Sequence, residues 1–268
     1  MPAMPTRFVS IVVDAADPHT LGHWWSGTLG WPVQFEDEHE VVVEPDGNEL
    51  EERVPALVFV PVADTKVVKN RLHLDLSSDS AEHQRAAVEV LRARGATAVD
   101  IGQHGVPGIG QHDVPWIVMA DPEGNEFCVL DPRDRYLGGG SLAAVVVDAA
   151  DPAGLAAFWA EATGWSIGYE ANAGEVVSLH SRHGGPPDID FVRVDDPKIV
   201  KDRLHLDVRP FADDDQAAEV ERLVALGARR IDVGQREVTW VVLADPEGNE
   251  FCVLRSKDPE PYSTGLVN

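Results

Sequence analysis

Apolar and polar residues alternate along this chain in a short scheme that recurs. An apolar run from Phe8 to Val13 reads as a strand, and Asp17 with Pro18 then supplies an N-cap and a first helical residue. Leu21, Trp24, Trp25 and Thr28 follow at the spacing of one helix face, and Gly30 supplies the stop. Short strands are predicted at Val41 to Glu44 and Ala56 to Val60, separated by the turn residues Pro45-Asp46-Gly47-Asn48. The scheme then repeats: a strand from Arg71 to Leu76, a helix from about Ser80 to Arg94 stopped by Gly95, and strands near Val99, Trp116 to Met119 and Glu126 to Leu130. In the strand from Arg71 to Leu76, the three leucines share one face and Arg71, His73 and Asp75 share the other.

The whole pattern is present twice. Val12-Val13-Asp14-Ala15-Ala16-Asp17-Pro18 returns at Val146 to Pro152, and Arg71-Leu72-His73-Leu74-Asp75 returns at Arg203 to Asp207. Ala120-Asp121-Pro122-Glu123-Gly124-Asn125-Glu126-Phe127-Cys128-Val129-Leu130 returns unchanged at Ala244 to Leu254. Three blocks in one order mean a duplicated domain, with 1–137 and 138–268 as the two copies and Gly138-Gly139-Gly140 as the linker.

Composition narrows the partners. Lys+Arg 22 against Asp+Glu 46 gives a net charge of −24, which repels phosphate backbones and anionic membranes and attracts cationic small molecules. No apolar stretch is long enough to span a bilayer, and the N-terminus lacks the apolar core of a signal peptide, so a cytoplasmic protein is expected. The two cysteines occupy matching places in the copies rather than a disulfide spacing. Five lysines beside seventeen arginines point to a GC-rich bacterial genome.

With Gly30-Trp31 and Gly164-Trp165, Trp24-Trp25 and Phe158-Trp159, these blocks resemble the vicinal oxygen chelate superfamily of glyoxalases, bleomycin-resistance proteins and extradiol dioxygenases. The match is to its glyoxalase-like branch and spans roughly residues 7 to 131 and 141 to 255. The resemblance implies an α+β fold of paired βαβββ modules whose curved sheets form a cup around the ligand site. Metal-using members place up to four ligands in that cup, on the first and last strand of each module. Carried over, the positions are Ser10, Phe59, His73 and Cys128 in one copy and Ala144, Phe191, His205 and Cys252 in the other.

Phe and Ala cannot coordinate, so the expectation is a cup without a tightly bound metal. The alternative is a divalent ion held by His73 or His205 with Glu126 or Glu250, in a lyase, isomerase or dioxygenase. The candidate catalytic residues are His73, His205, Asp75 and Glu126, as a histidine base oriented by carboxylates; the bland reading makes Arg71, Asp75 and Glu126 an internal ion network. Ser10, Phe59, Trp116, Cys128, Phe191, Trp240 and Cys252 are the candidate ligand contacts. Trp24 against Phe158 is a further candidate rim, Trp25 and Trp159 read as core, and His104, His112, His180 and His183 stand in Gly/Pro-rich loops. Because the longer 103–113 loop and Ser10 mark the first copy, two unequal cups and one small-molecule ligand per chain are expected, bound for sequestration or base-assisted rearrangement. The copies should pair about a pseudo-twofold axis, which permits a compact monomer without excluding a homodimer.

Overall fold

A computed structural model describes residues 6–47, 54–101, 114–181, 183–211, 215–235 and 237–256. The first module holds β1 (Arg7–Ala15), α1 (Pro18–Leu29), β2 (Val33–Glu36), β3 (Val41–Val43) and β4 (Ala56–Pro61). The second holds β5 (Leu72–Leu76), α2 (Ala81–Ala93), β6 (Thr97–Ala98), β7 (Ile117–Ala120) and β8 (Glu126–Val129). The second copy repeats them as β9 (Leu142–Ala149), α3 (Pro152–Thr163), β10 (Ser166–Ala171), β11 (Val176–His180) and β12 (Asp188–Arg193). These are followed by β13 (Leu204–Arg209), α4 (Gln216–Ala225), β14 (Arg229–Arg230), β15 (Val241–Ala244) and β16 (Glu250–Val253). Local chemistry sets the first helix as the sequence predicts: Asp17 accepts from the Thr20 amide, Pro18 opens the helix, and Gly30 closes it at a φ of 71°. β2 and β10 were not foreseen; β2 is only four residues, too short to show its own period.

The strands form two eight-stranded sheets, ordered β14-β15-β16-β13-β1-β4-β3-β2 and β10-β11-β12-β9-β5-β8-β7-β6. Each sheet therefore joins the first module of one copy to the second module of the other. The seams are antiparallel, with Val12 opposite His205 in the first sheet and Val146 opposite His73 in the second. Helices make the complementary link within a copy. Trp24 and Trp25 of α1 pack edge-on against Phe127 of β8, ring centroids 5.9 and 5.4 Å apart, and Phe158 and Trp159 of α3 repeat this on Phe251. Trp24 and Phe158 thus belong to the core between modules and not to a ligand rim, because the helices lie on the face of each sheet away from the cup.

The repeated blocks explain themselves in this frame. Glu123 accepts from the Ala16 and Asp17 amides at the start of α1, and Asp121 accepts from the Trp25 indole at 3.1 Å. Glu247 and Asp245 do the same for α3. Arg71 crosses between copies, donating to the Asp148 and Asp196 carbonyls at 2.7 and 3.0 Å and to Asn249 at 2.9 Å. Arg203 mirrors it on the Asp14 and Asp64 carbonyls. The expected Arg71–Asp75–Glu126 network is therefore not formed; Arg71 stands at the strand entrance, where the other copy offers carbonyls.

The whole linker between β8 and β9, residues 130–141, is more structured than the Gly138-Gly139-Gly140 run within it suggests. A single 3-10 turn spans Asp134–Tyr136, and Tyr136 is buried. Gly139 lies so close to Pro186 that a β-carbon there would stand 2.3 Å from the proline ring.

Candidate functional site

Sheet register decides which residues share a cup. On β1, Ser10 and Val12 face one way and Ile11 and Val13 the other. Ser10 stands beside Ala56 and Asp207, and Asp207 beside Cys252, so one row across the first sheet reads Ala56, Ser10, Asp207, Cys252. The adjacent row holds Val58, Val12 and His205. In the second sheet the rows read Asp188, Ala144, Asp75, Cys128 and Asp190, Val146, His73.

Two corrections follow. The residues carried over within each copy do not meet: Ser10 joins His205 and Cys252, and Ala144 joins His73 and Cys128, because the strands exchange between copies. Phe59 and Phe191 lie in register with Val13 and Val147 on the other face, fully buried in the core. The neighbouring Val58 and Asp190 hold the corresponding places inside the cups.

Each cup contains a cluster of His, Asp and Cys donor atoms, all within 4.8 Å of one another: His73, Asp75 and Cys128, or His205, Asp207 and Cys252. Burial governs their protonation. It lowers the His205 pKa to about 3, so the ring is neutral, and it pushes Asp207 up to about 7 against hydrogen bonds from the Cys252 thiol and the Ser10 hydroxyl. Both cysteine thiols are raised by burial and then by their aspartate neighbours, Asp75 and Asp207. His73 Nε2 is 3.4 Å from Asp75 and His205 Nε2 is 3.6 Å from Asp207.

Glu126 and Glu250, the carboxylates proposed to complete a metal set, are engaged elsewhere. Glu126 accepts from Lys66 at 2.6 Å and from the Asn70 amide at 3.1 Å, and Glu250 accepts from Lys198 at 2.7 Å and from the Asp202 amide. Both anchor the loops that carry the chain from one sheet to the other. A cavity of about 640 Å³ lies between those loops, lined by Lys66, Lys69, Arg71, Lys198, Lys201 and Arg203 with their carboxylate partners. It is apart from the His–Asp–Cys clusters.

The geometry is that of a known fold. A family model described as glyoxalase-like domain matches residues 10–130 and 144–254. The chain belongs to the glyoxalase-like domain family. Glyoxalase I from Zea mays superposes on this glyoxalase-like chain with a TM-score of 0.63 at 11% identity, covering 94% of this chain and 92% of that one. A putative dioxygenase from Bacillus subtilis subsp. subtilis str. 168 gives 0.61 at 14% identity, covering 96% and 87%. At such identities the likeness is one of fold. No match is found among curated proteins.

The two cups of this glyoxalase-like protein are not alike. Along β4 of the first, Ala56 and Val58 stand where β12 of the second carries the buried Asp188 and Asp190. The cover on the second cup includes the linker. Tyr136 packs with Cys128, Leu130 and Ala143, Trp116 packs against the same cluster, and Arg133 stands over the Trp116 ring at 5.7 Å. Arg135 donates to Asp190 at 3.1 Å. Trp240, the counterpart of Trp116, is half-buried in the bend immediately before β15. His104 and His112 lie outside the described residues, and His180 pairs with Asp188 at 2.7 Å on the wall of the second cup.

Sequence reading missed Asp207, Asp188, Asp190 and Arg135. Asp207 was visible as the twin of Asp75; the wall aspartates were obscured by placing the strand one residue out of register, which exchanges its faces.

Proposed function

We propose that the cup of the first sheet binds one small, largely apolar organic molecule, with Asp207 as its proton-handling group and without a tightly bound metal. The observation that carries this reading is the contrast between the walls: Ala56 and Val58 in the first cup against Asp188 and Asp190, the latter held by Arg135, in the second. An apolar wall opposite a few convergent polar groups is the usual composition of a small-molecule site. Asp207, with a pKa near 7, suits proton exchange at neutral pH; His205, held neutral to about pH 3, is a hydrogen-bonding group and a poor base. Sequestration uses the same cup without the proton step.

A resident ion of the superfamily type does not fit these residues. Among the described residues the strong donors of this cup sit on β13 and β16, while Ser10 and Ala56 face them from β1 and β4. Ser10 is itself hydrogen-bonded to Asp207. The second reading, a metal-dependent lyase, isomerase or dioxygenase, draws support from the N, O and S donors of each cluster, types that zinc accepts.

Fluorescence titration with 1-aminoanthracene, a neutral apolar probe, tests the proposal. One equivalent per chain is expected, with binding abolished by Val58→Trp and retained in Val146→Trp. Two equivalent sites, or binding indifferent to Val58→Trp, would refute it.

A further inference from the structure

The second cup is built around a cation. Arg135 directs Nη2 at Asp190 Oδ2, 3.1 Å away, and Nη1 at Ser178 Oγ, 3.5 Å away, with Asp188 at 4.0 Å. Its guanidinium carbon lies 4.5 Å from the centroid of the Tyr136 ring and 5.0 Å from that of Tyr169. A planar cation over two aromatic rings, with its edge on a carboxylate, is recognised by shape as well as by charge. Burial works against the Arg135 charge, and Asp190, Tyr136 and Asp188 more than offset it, so its pKa is raised.

The side chains around Arg135 are not satisfied by it alone. Asp190 Oδ1, Asp75 Oδ1, Tyr136 Oη and His73 Nδ1 are buried polar atoms without a hydrogen-bond partner, and all four residues belong to this cup. Each such atom carries a desolvation penalty until it is paired. The two carboxylate oxygens accept, and Tyr136 Oη and, in one tautomer, His73 Nδ1 can accept, which suits a ligand rich in N–H groups. His180, on Asp188 at 2.7 Å, is fixed from the rim, where Gly168 leaves room for its ring: a β-carbon there would stand 1.7 Å from His180 Cδ2.

We infer that the second cup is a binding site for small guanidinium compounds, and that Arg135 of the linker is a tethered competitor that occupies it. A free guanidinium compound would take the place of Arg135 between the tyrosines, on Asp190 and Asp188, and bring further N–H groups to Asp75. The acidic field of the chain, net −24, concentrates such cations near the cup. Occupancy by ligand releases the 3-10 turn of the linker, so the site couples a small molecule to the only covalent connection between the copies.

Methylguanidinium at millimolar concentration is the probe, read by calorimetry and by thermal unfolding of the full chain. Removing a tethered competitor raises apparent affinity. Arg135→Ala is therefore expected to bind the probe at least tenfold more tightly than the wild type and to gain thermal stability from it, and Arg135→Ala with Asp190→Asn is expected to lose both effects. An Arg135→Ala protein that is poorly folded and recovered by methylguanidinium supports the inference, and one that is not recovered overturns it. Equal binding by wild type and variant, or an equal response to methylammonium, also overturns it.

Discussion

Ser10 on β1 donates its hydroxyl to Asp207 on β13 across 3.2 Å, a bond between residues 197 positions apart that belong to different copies of the repeat. Asp207 also accepts from the Cys252 thiol, so its carboxylate is supported by a residue from each copy. The cup is thus a joint product of both halves, and changes in either half reach it.

Asp207 and His205 should oppose each other in the pH dependence of stability. Asp207 is raised from 3.8 to about 7, so it binds a proton more readily in the folded state, and its contribution is lost as pH rises through about 7. His205 is lowered from 6.5 to about 3, so its contribution is present above 6.5 and lost as pH falls toward 3. Between pH 4 and 6.5 the two slopes oppose. His205→Gln should therefore make stability fall with rising pH more steeply than in the wild type, and Asp207→Asn should make it rise. The change across the window is on the order of 2–4 kcal/mol in denaturation midpoints converted to free energy. Parallel pH profiles for all three proteins would refute the assignment.

Arg71 and Arg203 should be the costliest polar residues to remove from the boundary between copies. Each donates to two carbonyls of the other copy and to an asparagine side chain. Arg71→Ala and Arg203→Ala should each destabilise by about 2–4 kcal/mol in urea denaturation, since acceptors on the buried Asp148, Asn249, Asp14 and Asn125 lose charged donors. Losses under about 0.5 kcal/mol would show that the contacts are incidental.

Much of this architecture was legible in the sequence, and the limits have physical causes. The helix signals Asp17-Pro18 and Gly30, and the alternation of His73 and Asp75 with leucines, are local and specify their elements. The repeat identified two copies, but a repeat does not say which copy of a strand pairs with which, because β5 and β13 present nearly the same sequence to β1. The pairing of Ser10 with Asp207 rather than Asp75 was therefore beyond a reading of the chain alone. Phe59 and Asp190 depend on the same gap in a sharper way. An apolar strand buried on both faces has no period to show which face is which, whereas the half-buried Val58 and Val60 reveal it in the folded protein.

Elemental analysis of protein purified without chelators should find no near-stoichiometric zinc, iron, manganese or nickel. The cysteine thiols, raised by burial and by Asp75 or Asp207, would have to lose protons that the aspartates help to retain. About one ion per chain, lost together with a folding transition in His205→Ala, would favour the metal-dependent reading instead.

Residues 1–137 expressed alone should associate into a symmetric dimer. The fragment leaves the β1 and β5 edges bare, and each matches the other in a second molecule as β1 matches β13 in the intact chain. Light scattering should report twice the fragment mass. A stable monomer that does not associate with residues 138–268 would show that the shared sheets are not required.

The exchange of strands also sets a timetable for synthesis. The seam of the second sheet joins Leu72 to Val147 and closes soon after the middle of the chain has emerged, whereas β1 waits for Leu204 to meet Val13, about 190 residues later. At ~5–20 residues per second that interval is roughly 10–40 s. Two sheets that are equivalent in space are thus unequal in time, and the first strand made, paired early with β4 on one edge, is among the last to be paired on both. A ribosome queue on one message would hold several such strands side by side, and the growing chain depends on its second half arriving before a neighbour's does.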